Sequence, residues 1–68
     1  MKITKKMAQQ FAKAMREAMD EAKDNRVLGD KGLAYYYTGR KSAFEEILRY
    51  AEGDWTLTVD SCGKLFVD

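Results

Sequence analysis

Eleven carboxylates, twelve cations, two serines, one cysteine and no histidine are the side chains with which this 68-residue chain would have to do any chemistry. The missing histidine removes the commonest general base and the commonest metal ligand. Cys62 has only Lys64 nearby in sequence to lower its pKa, and its Asp60-Ser61-Cys62-Gly63 setting reads as an exposed turn. With that single cysteine no zinc site of ordinary type can be assembled. Ser42 lies beside Arg40 and Lys41, and neither it nor Ser61 has a general base at a usable spacing. Glu45 and Glu46 are adjacent, so on a helix they point roughly 100° apart and do not form a carboxylate pair. Gly29, Gly32 and Gly39 lack the following Lys-Ser or Lys-Thr of a phosphate-binding loop. Asp54, Asp60 and Asp68 do not have the spacing of a calcium loop. The residues therefore predict a non-enzyme with no cofactor and no metal.

Charge is the richer signal. The chain carries a net charge of +1 and an isoelectric point near 7.8, too balanced for a dedicated nucleic-acid binder. The imbalance is local. Lys2, Lys5, Lys6, Lys13 and Arg16 precede Glu17, Asp20, Glu21 and Asp24 on one polar face. A helix dipole prefers the opposite order, by about 0.3–1 kcal/mol per terminal charge. Glu17–Glu21 and Asp20–Asp24 are also like-charge pairs at i, i+4, which Lys13–Glu17 and Arg16–Asp20 offset in part. An arrangement that does not serve the helix points to a partner. The acidic half would meet a basic surface, such as the nucleic-acid-binding groove of a larger effector protein, and the basic half phosphate or an acidic protein.

Tyr35-Tyr36-Tyr37 followed by Thr38-Gly39-Arg40-Lys41 is the second cluster. Aromatics interleaved with cations stack bases or anchor protein interfaces. Helical phase turns Tyr36 and Tyr37 toward the core and Tyr35 outward. Arg40, in the middle of the apolar arc, must snorkel, sit at a rim or find a carboxylate on the first helix, because a buried unpaired guanidinium is expensive. Phe66 falls on the strand face opposite Trp55, Leu57 and Val59, where a two-layer fold leaves it exposed. The partner-binding candidates are thus Glu17, Asp20, Glu21, Asp24, Tyr35, Arg40 and Phe66.

Three elements must position these groups. Between about Thr4 and Arg26, Met7, Ala8, Phe11, Ala12, Ala14, Met15, Ala18, Met19 and Ala22 fall on one arc of about 160°, with the charged residues and glutamines on the other. Thr4 is the expected N-cap and Gly29 the expected stop. Between about Asp30 and Glu52, Leu33, Tyr36, Tyr37, Ala43, Phe44, Ile47, Leu48, Tyr50 and Ala51 share a face, with Asp30 as N-cap and Gly53 as C′ residue. The periodicity keeps its phase across Gly39, which predicts a continuous helix. From about Trp55 to Val67 apolar and polar residues alternate about Asp60-Ser61-Cys62-Gly63, a type I turn with Gly63 in a G1 bulge. That register places Val59 beside Leu65, Leu57 beside Val67 and Thr58 beside Phe66.

The sequence thus predicts one α+β domain over residues 1–68, two helices followed by a C-terminal β-hairpin. A two-stranded sheet leaves both edges open, so a homodimer through the hairpin edge, or capture of a partner's strand, is expected. No apolar run reaches the roughly 20 residues of a membrane span, the N-terminal Met1–Lys6 is not followed by the apolar stretch of a signal peptide, and one cysteine fits a reducing compartment. A cytoplasmic location follows as an expectation.

The stretch Tyr37 to Gly53, with Gly39-Arg40 and then Ala43-Phe44-Glu45-Glu46-Ile47-Leu48, resembles a helix of small bacteriophage and mobile-element accessory proteins. The resemblance implies a host-takeover or anti-defence protein, of which the anti-CRISPR proteins are one group. Such a protein, in the cytoplasm of the host cell, binds and inhibits or modulates a larger protein. The alternative is a nucleic-acid-binding or regulatory module using Lys2, Lys5, Lys6, Lys13 and Arg16.

Overall fold

Thr4 accepts the amide N–H of Met7 on its hydroxyl at 3.1 Å and starts α1, Lys5–Val27. Ala, Met, Gln, Glu and Lys dominate this segment, all strong helix formers. The computed structural model describes residues 1–68. The helix stops in a Schellman turn. Gly29 adopts φ 83°, its N–H reaches the Arg26 carbonyl at 3.2 Å, and the Asp30 N–H reaches that of Asn25 at 2.8 Å. Asp30 at once caps the next helix by accepting the Leu33 N–H at 3.0 Å. Two residues of turn chemistry therefore fold α2, Lys31–Tyr50, back along α1. It runs unbroken through Gly39.

The hairpin has short strands, β1 at Leu57–Val59 and β2 at Leu65–Val67, in the register Leu57–Val67, Thr58–Phe66, Val59–Leu65. Its turn is fixed by Asp60, whose carboxylate accepts the N–H groups of Cys62 and Lys64 at 2.9 and 2.8 Å, and by Gly63 at φ 84°. The architecture is ααββ, a single α+β layer pair.

Ile3, Ala8, Ala12, Met15, Leu48, Leu65 and Val67 form the core, with Phe11, Met19, Phe44, Ala51, Trp55 and Leu57 packed around it. The buried positions of α1 are Ala8, Ala12, Met15, Ala18, Ala22 and Asn25. Four of those are alanines, so α2 and β2 both approach the α1 backbone closely. Met15 is the one large fully buried side chain of α1 and meets Leu48 and Leu65, which are fully buried too, in the core.

The chain ends lock the hairpin in place. Ile3 donates to the Glu52 carbonyl at 2.9 Å, Glu52 donates to the Met1 carbonyl at 2.8 Å, and the Trp55 indole N–H reaches the Ile3 carbonyl at 3.2 Å. Gly53 is therefore not a helix C′ residue, as its spacing suggested. It lacks the positive φ of Gly29 and Gly63. It is glycine because a Cβ there would collide with the Trp55 indole and the Ile3 carbonyl.

The apolar faces read from sequence are corrected at several positions. Alpha-2 turns Ala34, Lys41, Phe44 and Leu48 inward, with Tyr37 half-buried. Leu33, Tyr36, Ala43 and Tyr50 are exposed instead. The apolar arc of α2 is wider than the strip that one antiparallel helix and a three-residue strand can cover. Val59 is exposed because the hairpin lies with β2 over α1 and β1 overhangs; Met7 on α1 is exposed as well.

Candidate functional site

Cys62 is exposed at the hairpin turn and borders a shallow depression that Lys23, Arg26 and Lys64 also line, and Lys64 directs its amine to Asp20 at 2.9 Å. No three His, Cys, Asp or Glu side chains come together as a metal-binding group. Ser42 is exposed on α2.

The acidic half of α1 splits in two. Glu17, Glu21 and Asp24, spaced i, i+4, i+7, share one exposed strip. Asp20 lies further round the helix and faces the hairpin, where its ion pair with Lys64 joins α1 to the G1-bulge turn. The hydrogen bond that Lys64 donates to the Asp20 carboxylate is the main reason that the Lys64 pKa is raised. Burial works against the shift, and the charges of Asp20 and Asp60 add to it. Asp20 thus acts inside the fold. Within the strip, Glu17 meets Lys13 at 4.0 Å, a fully exposed pair of little energetic weight.

Between this strip and α2 runs a groove of about 270 Å³ lined by Ala14, Glu17, Ala18, Glu21, Tyr37 and Arg40. Arg40 forms no salt bridge with Glu17 or Glu21. Its guanidinium lies 5.8 Å from the Tyr36 ring centroid and 5.7 Å from that of Phe44, and it donates to the Tyr36 hydroxyl at 3.3 Å. The sequence left open whether Arg40 snorkels or pairs. It snorkels, across aromatic faces.

Tyr35 is on the other flank of α2. At 81% exposure it borders a depression of about 310 Å³ with Arg26, Lys31, Ala34 and Thr38. The sequence grouped Tyr35 with the acidic strip, whereas the structure sets it among cations. Arg26 and Lys31 were missed, though each sits at a helix end beside the Gly29 turn and so was bound to meet the other across it.

Phe66 is 40% exposed and is roofed by Arg16, whose guanidinium sits 4.4 Å from the ring centroid. Arg16 also donates to the Leu65 carbonyl at 2.6 Å. Of the five basic candidates for nucleic acid, Arg16 is therefore committed to β2. Lys5, Lys6 and Lys13 remain exposed, and Lys2 sits on the backbone bridge to Glu52. Lys2 and Lys5 line a wide concavity of about 440 Å³ with Ile3, Thr4, Gly53 and Asp54.

Arg16 has a second effect. It satisfies one outward carbonyl of β2, that of Leu65. The mutual bonds of Thr56 with Asp68 and the bond from Asp60 to Lys64 turn the backbone groups of Leu57 and Val59 away from β2.

No family model, no curated protein and no solved structure matches the chain. No helix is long and apolar enough to cross a membrane.

Proposed function

We propose that the chain is a non-enzymatic interaction protein that binds a larger protein and inhibits or modulates it by covering its surface. One observation carries this reading. Glu17, Glu21 and Asp24 stand in line on the solvent face of α1, held on a rigid helix and not used by the fold. Carboxylates fixed in a row favour a basic partner surface, including the nucleic-acid-binding groove of an effector. Arg40 and the aromatics beside it border the same groove and supply an anchor of the kind that dominates interface energetics. An anti-defence inhibitor of the anti-CRISPR type, acting in a host cytoplasm, is the specific form of this reading. It draws on the resemblance of the Tyr37–Gly53 helix.

A tagged pull-down from host lysate tests it, with and without nuclease and at two salt concentrations. A stoichiometric protein should survive nuclease and be lost with the double reversal Glu17→Lys and Glu21→Lys. Asp20 is left intact because it holds the hairpin. Unchanged capture by the reversed variant overturns the acidic-strip reading. Capture that disappears with nuclease or falls steeply with salt would instead favour binding of nucleic acid by Lys2, Lys5, Lys6 and Lys13.

A further inference from the structure

Alpha-2 carries two apolar seams, and the fold uses one. The inner seam, Ala34, Tyr37, Lys41, Phe44, Leu48 and Ala51, is buried or half-buried on the side of α1 and the hairpin. One residue earlier at every step runs an outer seam, Leu33, Tyr36, Arg40, Ala43, Ile47 and Tyr50, with the alternating three- and four-residue spacing of coiled-coil positions. This second seam faces solvent. Leu33, Tyr36 and Tyr50 are 45%, 55% and 76% exposed, Arg40 and Ala43 are exposed, and Ile47 is half-buried. A helix with two such faces belongs between two neighbours, and here one neighbour is missing.

We propose that the outer seam of α2 pairs with the same seam of a second copy, antiparallel, to form a symmetric dimer. The residues fix the register. Antiparallel pairing about the midpoint between Lys41 and Ser42 sets Leu33 against Tyr50 of the second copy, Tyr36 against Ile47, and Arg40 against Ala43. The one long cation of the seam meets its one small side chain, and the other layers are apolar. Parallel pairing instead stacks Arg40 on its own counterpart in a single layer. In the antiparallel arrangement the guanidinium leaves the seam toward the groove that Glu17 and Glu21 line, so the charge is met by carboxylates as water is excluded. Its present position across Tyr36 and Phe44 keeps it extended along the seam.

The contact spans about 26 Å of helix. Summed over both copies, the exposed parts of Leu33, Tyr36, Arg40, Ala43 and Tyr50 amount to roughly 1,000 Å², the low end of what a specific interface needs. The exposed β1 edge is a poorer site for a second copy, since only Leu57 and Val59 have outward backbone groups there. The outer seam shares Arg40, and the Tyr36 to which it donates, with the groove beside the acidic strip, but the pairing does not rest on the proposed function and needs no knowledge of the larger partner.

Sedimentation equilibrium of the purified chain from about 10 μM to about 1 mM tests it. The weight-average mass should rise from 7.8 kDa toward twice that value, with micromolar dissociation. Ala43→Arg substitutes an exposed position with another strong helix former. It should weaken the dimer at least tenfold with unchanged far-ultraviolet circular dichroism, while Val59→Lys on the hairpin edge leaves the dimer intact. A chain that stays monomeric at 1 mM overturns the self-pairing and leaves the seam to a helix of another protein. A dimer that survives Ala43→Arg, or one broken by Val59→Lys alone, overturns it as well.

Discussion

Replacing Arg16 by alanine distinguishes a side chain that serves a partner from one that holds the fold. Its charge and its place among Lys5, Lys6 and Lys13 suggest an exposed contact for phosphate, and removing such a group changes stability by no more than about 0.5 kcal/mol. The structure gives it two intramolecular tasks. It donates to the Leu65 carbonyl at 2.6 Å and covers the Phe66 ring at 4.4 Å. A hydrogen bond from a charged donor contributes about 1.5–3 kcal/mol, and a partly exposed cation–π contact about 0.5–1 kcal/mol. Leu65 itself is fully buried, but its outward carbonyl would regain water once Arg16 is gone, which favours the lower figures. The expected loss is about 2 kcal/mol. A domain of this size has about 3–10 kcal/mol in all. With a urea m-value of about 1 kcal/mol/M, the midpoint should fall by about 2 M. Urea titration followed by Trp55 fluorescence measures this, with Lys13→Ala as the exposed control. Hydrogen exchange should localise the loss to the Thr58 and Phe66 amides. An Arg16→Ala midpoint within about 0.5 M of the parent would refute the reasoning and return Arg16 to the surface.

Two glycines in different settings should respond in opposite directions. Gly39→Ala, at an α2 position where a Cβ meets nothing within 4 Å, should stabilise the chain by about 1 kcal/mol and raise the melting temperature by several degrees. Gly53→Ala should destabilise it by about 1–3 kcal/mol, because the new methyl collides with the Trp55 indole and the Ile3 carbonyl; an unchanged melting temperature would contradict that packing. The pH dependence follows from Lys64. Its folded pKa is raised, so its pairing with Asp20 stabilises the fold below the ordinary lysine pKa and is lost as pH rises through the folded value. As the pH rises above the ordinary lysine value of about 10, the parent should therefore lose more stability than Asp20→Asn. Parallel urea midpoints for the two proteins over that range would show the difference, and identical curves would exclude the pairing as a contributor.

Local signals in the sequence determined the elements of this protein. The Thr4 and Asp30 caps, the Gly29 stop, the uninterrupted phase across Gly39 and the Asp60–Gly63 turn each depend on residues within a few positions of one another. The structure has all of them, the strand register included. What lies across an element is not local. Whether a charge on α1 faces water or the hairpin depends on where β2 docks, some fifty residues later in the chain. That docking draws Arg16 to Leu65 and Asp20 to Lys64, and it leaves Glu17, Glu21 and Asp24 as the exposed remainder. Gly53 likewise depends on the fold of the first three residues against Trp55. The periodicity of α2 was legible, but it could not show that one apolar arc contained two seams, because sequence gives the width of a face and not how much of it the neighbours cover. Only the tertiary structure decided that α1 and a short hairpin occupy the inner half. The outer half is exposed because the chain has no third helix to bury it.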